Sequence, residues 1–130
     1  MSEFPNNLRY SKEHEWARLE SDGSVVVGIT AHAVDALGDI TMVTLPEVGD
    51  TLTAGETFGD IDSVKAVSEL YAPIDGEVVE VNGELEDAPE TVNSAPYEAG
   101  WILKMTPSDP SQLESLMSPE DYAAYVADLG

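Results

Sequence analysis

Lysine is scarce in this chain, which holds only Lys12, Lys65 and Lys104. Lys65 stands in Gly59-Asp60-Ile61-Asp62-Ser63-Val64-Lys65-Ala66-Val67-Ser68-Glu69-Leu70-Tyr71-Ala72-Pro73, two short runs of strand character that meet at Val64-Lys65. A lysine at a hairpin tip holds a primary amine out in solvent on a four-carbon stem, where a second protein can reach it for modification. A lysine at a turn is also an ordinary solvated residue, and position alone favours that reading. The flanks are more specific than a turn requires: Gly-Asp-x-Asp precedes the tip, and Ala-Pro-x-x-Gly-Glu-Val follows it.

Other chemistry finds little support. There is no Gly-rich phosphate loop, no GxSxG elbow and no HExxH pair. With no cysteine, thiolate metal sites, disulfides and cysteine nucleophiles are absent together. His14 and His32 are not at ligand spacing from each other, so packing or surface roles are expected for both. Acidic residues are so common that Asp60 and Asp62 beside the tip say nothing about acid–base catalysis. Trp16, Trp101 and the tyrosines read as core or helix-packing residues rather than as a stacking platform.

The elements that must position Lys65 read mostly as β-strands. Leu8 to Tyr10 and Glu15 to Glu20 alternate apolar and polar residues, Ser21-Asp22-Gly23-Ser24 is a turn, and Val25 to Ile29 returns. Thr30 is placed to cap a short helix carrying Ala33, Val34 and Leu37, which Gly38 stops. Ile40 to Leu45 alternates and ends at Pro46, as a strand with one wet face does. Turns at Gly49-Asp50, Ala54-Gly55, the Lys65 tip, Asp75-Gly76 and Asn82-Gly83 then separate strand-length segments, the beat of a small sandwich or barrel. Glu84 to Gly100 reads as a polar connection with a helical turn near Gly83 to Leu85, and Trp101 to Met105 closes the β part. Asp109-Pro110 and Ser118-Pro119 each set a capping residue before a proline, which predicts C-terminal helices. Ser118-Pro119-Glu120-Asp121 resembles a capping box with Asp121 in the place of glutamate.

At 130 residues the chain suffices for one domain. We expect a single unit over 1–130, mainly β (α+β), with 108–129 as a helical extension. No apolar run is long enough to span a bilayer, and Met1 to Asn7 lack the basic and apolar regions of a secretory signal, so a cytoplasmic protein is expected. A monomer is expected as well. Five basic residues face 26 acidic ones, for a formal net charge of −21. Such a field repels phosphate backbones and anionic lipid, which argues against nucleic-acid and membrane partners. The acids are dispersed along the chain, the pattern of a protein working in concentrated salt.

Asp62-Ser63-Val64-Lys65-Ala66, followed by Ala72-Pro73-Ile74-Asp75-Gly76-Glu77-Val78, resembles the lipoyl-attachment hairpin of the glycine cleavage system H-protein family. Further matches are His14-Glu15-Trp16, Val27-Gly28-Ile29-Thr30, Leu37-Gly38-Asp39-Ile40, Leu45-Pro46-Glu47-Val48-Gly49, Asn93-Ser94-x-Pro96-Tyr97 and Gly100-Trp101, so the resemblance covers about residues 8 to 129. The hairpin alone is shared with lipoyl domains of 2-oxo acid dehydrogenases and, more loosely, with biotin carriers. Val64 and Ala66 stand where a biotin carrier has methionines; the N-terminal section, the Asn93-to-Trp101 connection and the C-terminal helices separate an H protein from a bare lipoyl domain.

The resemblance implies a lipoyl-domain-like hammerhead β-sandwich or barrel with (R)-lipoate amide-linked to Lys65, and a chain that is no enzyme. It implies four partners: a lipoate-attaching enzyme, and the P, T and L proteins. The pyridoxal-phosphate-dependent P protein loads an aminomethyl group from glycine onto the arm. The T protein passes the one-carbon unit to tetrahydrofolate, and the flavin-dependent L protein reoxidises the arm. In the family the loaded arm folds back into a cleft, and the matching positions are Glu13, Glu15 and Glu69. Glu15 matches the family's glutamate, while Glu13 stands where serine is common and Glu69 where aspartate is common. Two rivals remain open: an H-like protein relaying lipoyl groups to other enzymes, and an interaction module whose Lys65 is never modified.

Overall fold

Nine strands and four short α-helices follow one another in the computed structural model, which describes residues 8–12 and 14–129. The first three strands, β1 (Arg9–Tyr10), β2 (Glu15–Leu19) and β3 (Val25–Ile29), form an antiparallel meander. The expected cap then starts helix α1 (Ala31–Leu37): Thr30 Oγ1 accepts from Ala33 N–H, and Gly38 ends the helix at φ 79°. Strands β4 (Ile40–Thr44), β5 (Thr51–Leu52), β6 (Thr57–Ser63), β7 (Val67–Tyr71) and β8 (Gly76–Val81) follow. Two one-turn helices, α2 (Glu84–Asp87) and α3 (Thr91–Ser94), lead to β9 (Leu103–Pro107).

Two antiparallel sheets result. One has six strands in the order β1-β2-β3-β9-β8-β5; the other has three, β4-β6-β7. They share no strand, so the body is a sandwich rather than a closed barrel. Val25, Val27, Ile29, Leu103 and Met105 of the larger sheet meet Val43, Ile61 and Leu70 of the smaller one in the main core. All five residues of β3 are buried, because its opposite face is covered too. Val26 belongs to a second cluster with Leu8, Tyr10, Trp16 and Tyr122. Trp16 lies so close over β3 that a Cβ on Gly28 would stand 2.5 Å from its ring, which is why the strand has glycine there.

Tyr122 comes from α4 (Pro119–Leu129), which follows a 3-10 helix (Pro110–Ser115). Both predicted caps form: Asp109 accepts from Ser111 N–H and Ser118 Oγ from Asp121 N–H. Tyr125 and Val126 pack on the second cluster beside Tyr122, as their spacing predicts.

The clean alternation expected of the strand after α1 fails. Ile40 and Val43 are buried while Thr41 and Met42 are both exposed, because the pairing with β6 shifts register between Ile40 and Met42. An inserted residue at a bulge turns the following side chains over by one step. The polar connection also holds more structure than expected, since α3 forms in addition to the turn that α2 realises.

Candidate functional site

Strands β6 and β7 pair from Thr57↔Tyr71 to Asp62↔Val67 and present Lys65 at their tip. Ser63 builds the turn: its N–H donates to the Ala66 carbonyl (2.8 Å), and its Oγ accepts from the N–H of Lys65 (3.2 Å) and of Ala66 (3.1 Å). A serine hydroxyl bonding backbone two and three residues on is a local turn device, and it fixes the lysine's Cα. Val64, Lys65 and Ala66 are exposed. Among the described residues no carboxylate pairs with the Lys65 ammonium.

The tip leans on the loop after α1. Val64 N–H donates to the Asp39 carbonyl (3.0 Å), and a Cβ on Gly38 would stand 3.2 Å from Lys65 Cε, so the lysine stem lies across a glycine. That loop is gripped in turn by Asn93 of α3, whose Nδ2 donates to the Gly38 carbonyl (2.8 Å) and whose Oδ1 accepts from Ile40 N–H (2.9 Å). At the other end of α1 the Tyr97 hydroxyl accepts from Ala31 N–H (2.9 Å). Asn93 and Tyr97 stood in the matched motif, yet nothing local in the sequence assigned them a role; the signal is tertiary.

The three carboxylates expected at an arm cleft fare differently. Glu13 lies outside the described residues. Glu69 is exposed on β7, opposite Asp60 in the pairing. Glu15 is 1% exposed; its Oε1 accepts from Ser11 Oγ (2.7 Å) and its Oε2 from Tyr71 N–H (3.3 Å). β7 is an edge strand of its sheet, so Glu15 satisfies an edge N–H of the hairpin that carries Lys65.

The histidines, distant in sequence, come together. His14, at φ 71°, has its ring centroid 4.7 Å from that of His32, and its Nδ1 lies 2.6 Å from the Tyr122 hydroxyl. The Tyr122 hydroxyl also bonds Thr30 Oγ1 (2.8 Å). Burial, then the charge of His32, hold the His14 pKa below its ordinary value, and burial pushes Tyr122 up to about 12. Among the described residues no group of three or more His, Cys, Asp or Glu side chains that could hold a metal ion forms.

A two-sheet sandwich that holds one exposed lysine out on a braced hairpin has the build of a carrier protein. The sequence profile of the family described as glycine cleavage H-protein matches residues 8–129. Glycine cleavage system H proteins of Halalkalibacterium halodurans and Saccharophagus degradans are 55% and 53% identical, the first covering 98% of this chain and 99% of its own, the second 97% of each. The crystal structure of a glycine cleavage system H protein from Mycobacterium marinum superposes with a TM-score of 0.88 at 41% identity, covering 95% of this chain and 99% of that one. This chain belongs to the glycine cleavage H-protein family.

Proposed function

We propose that this chain carries lipoate on Lys65 and shuttles the aminomethyl unit of glycine from the P protein to the T protein, with the L protein restoring the arm. The observation that supports this is the Lys65 amine itself, exposed and free of carboxylate partners among the described residues, on a tip whose backbone Ser63 fixes. These residues fit an amide-linked arm: Gly38 leaves room along the stem, and the tip is open to an attaching enzyme. Bound lipoate supplies disulfide–dithiol chemistry, and the protein supplies position and access. Tethering makes each handover a local event at high effective concentration. We place this work in the cytoplasm and assign the carrier as a monomer.

The arm-cleft role follows the same reading. Glu69 is the displayed carboxylate able to meet a protonated amine, and Glu15 works from behind the edge of β7.

Intact mass of protein from its native host should exceed the sequence mass by one lipoyl group, and Lys65→Arg should fold normally without that increment, because arginine lacks an acylable primary amine. Lys12→Arg and Lys104→Arg should retain it. Lys65→Arg protein that still accepts aminomethyl cargo from the P protein would overturn the assignment.

A further inference from the structure

We propose that Asn93 is a positioning residue for the lysine tip, fixing the 38–40 loop on which Val64 and the Lys65 stem rest. The inference rests on reading Lys65 as the attachment site. Hydrogen bonds of residues 64–66 stay within the hairpin with one exception among those described, Val64 N–H to the Asp39 carbonyl. Asp39 is therefore the tip's backbone anchor on the body, and Asn93 holds both of its neighbours, Gly38 through the carbonyl and Ile40 through the N–H. Only a carboxamide presents a donor and an acceptor side by side on one short planar group; aspartate has acceptors alone and leucine has neither. The loop needs such a clamp. Gly38 sits at φ 79°, a conformation glycine enters freely and leaves as freely, and the β4 ladder shifts register just beyond Ile40. Tyr97 holds the start of α1 while Asn93 holds its end, so the connection before β9 sets the helix and the loop as one piece under the lysine. Where the base of a tethered arm points decides which surfaces the arm samples, and a loosened base lowers its effective concentration at any one of them.

The rival is that Asn93 merely stabilises the fold. Val92→Ala in the same helix controls for this, since Val92 is fully buried in the main core and its N–H donates to the Pro89 carbonyl (3.1 Å). Amide hydrogen exchange is followed in molar potassium chloride on wild type, Asn93→Ala and Val92→Ala, with the Val27 amide as internal reference. Asn93→Ala should speed exchange at Val64 and Ile40 about tenfold relative to Val27, the scale of one lost hydrogen bond. Val92→Ala should speed all three in proportion. Steady-state lipoylation by a lipoate-attaching enzyme should show KM raised several-fold for Asn93→Ala with kcat within about twofold, and neither changed for Val92→Ala. Val64 exchange that tracks Val27 in Asn93→Ala, or a KM equal to that of Val92→Ala, would overturn the clamp. If Asn93→Ala does not fold, Asn93→Asp takes its place: it keeps the acceptor for Ile40, loses the donor to Gly38, and is judged by the same Val64 ratio. Wild type that takes up no lipoate would end the carrier reading, while the exchange ratios still decide the clamp.

Discussion

Glu15 is a buried carboxylate that accepts from two different elements. A carboxylate removed from water must be repaid by hydrogen bonds, and Ser11 Oγ and Tyr71 N–H both donate to it. Glutamine at this site keeps an oxygen for Tyr71 and turns an NH2 toward Ser11 Oγ, which has lone pairs to accept it. We therefore predict that Glu15→Gln costs only about 1 kcal/mol, a few degrees of melting temperature, whereas Glu15→Ala, which leaves the Tyr71 N–H without this acceptor, costs up to about 3 kcal/mol. Lipoylation should survive in Glu15→Gln, since the Ser63 turn that presents Lys65 is untouched. Release of aminomethyl cargo to solvent should quicken, because the negative charge behind β7 is gone. Equal release rates from the variant and wild type would remove Glu15 from any role in holding the arm. At this scale the sequence told half. Lys65 was legible because a rare residue stood between two runs of period two, and a turn must lie there. The burial of Glu15 was not, since its donors come from residues on either side of it in space, 4 and 56 positions away.

The hairpin, the meander and the caps of α1 and α4 rest on local rules, so they were legible element by element. Elements set by distant partners were not. The bulge in β4 answers to its register with β6, and α3 is four residues long, too short for any helical period to appear. The His14–His32 pair arises because β2 and β3 align Glu15 with Ile29, which brings the residues just before one strand and just after the other to the same end. Helix α4 docks there through Tyr122, whose hydroxyl lies 2.6 Å from His14 Nδ1, so its docking should depend on pH. The His14 pKa is lowered in the folded state, so the unfolded chain binds the proton more readily. Stability from this site is whole above the ordinary imidazole value of about 6.5 and declines as pH falls through it, levelling off below the folded pKa. In molar potassium chloride, the melting temperature should therefore fall from about pH 7 to about pH 5. His14→Asn removes the titration and suits the positive φ, since asparagine tolerates the left-handed region. It should fall less over the same range; parallel curves for the two proteins would rule out His14 as the source.

Charge acts on the molecule as a whole. The chain carries 26 acidic and 5 basic side chains, and among the described residues the one ion pair is Arg18–Glu20 at 3.0 Å. Most carboxylates therefore have carboxylates as their nearest charged neighbours. Two like charges ~10 Å apart in water repel by roughly 0.4 kcal/mol. A few dozen such pairs reach the ~5–15 kcal/mol that holds a typical domain together. The unfolded chain relieves much of this by expanding, so dilute buffer opposes the folded state. The screening length is ~10 Å at 0.1 M salt and ~3 Å at 1 M, which removes most of the repulsion between neighbours. We predict that the melting temperature climbs steeply as potassium chloride rises from dilute to molar, and that dilute buffer leaves the protein partly unfolded. Chloride strengthens apolar burial only weakly, so a large rise reports screening and cation association more than a tightened core. A series of monovalent chlorides at equal ionic strength separates those two, because screening alone gives the same curve for each cation. A melting temperature that stays put between dilute and molar potassium chloride would show that the two cores, one between the sheets and one under α4, carry this charge without help from salt.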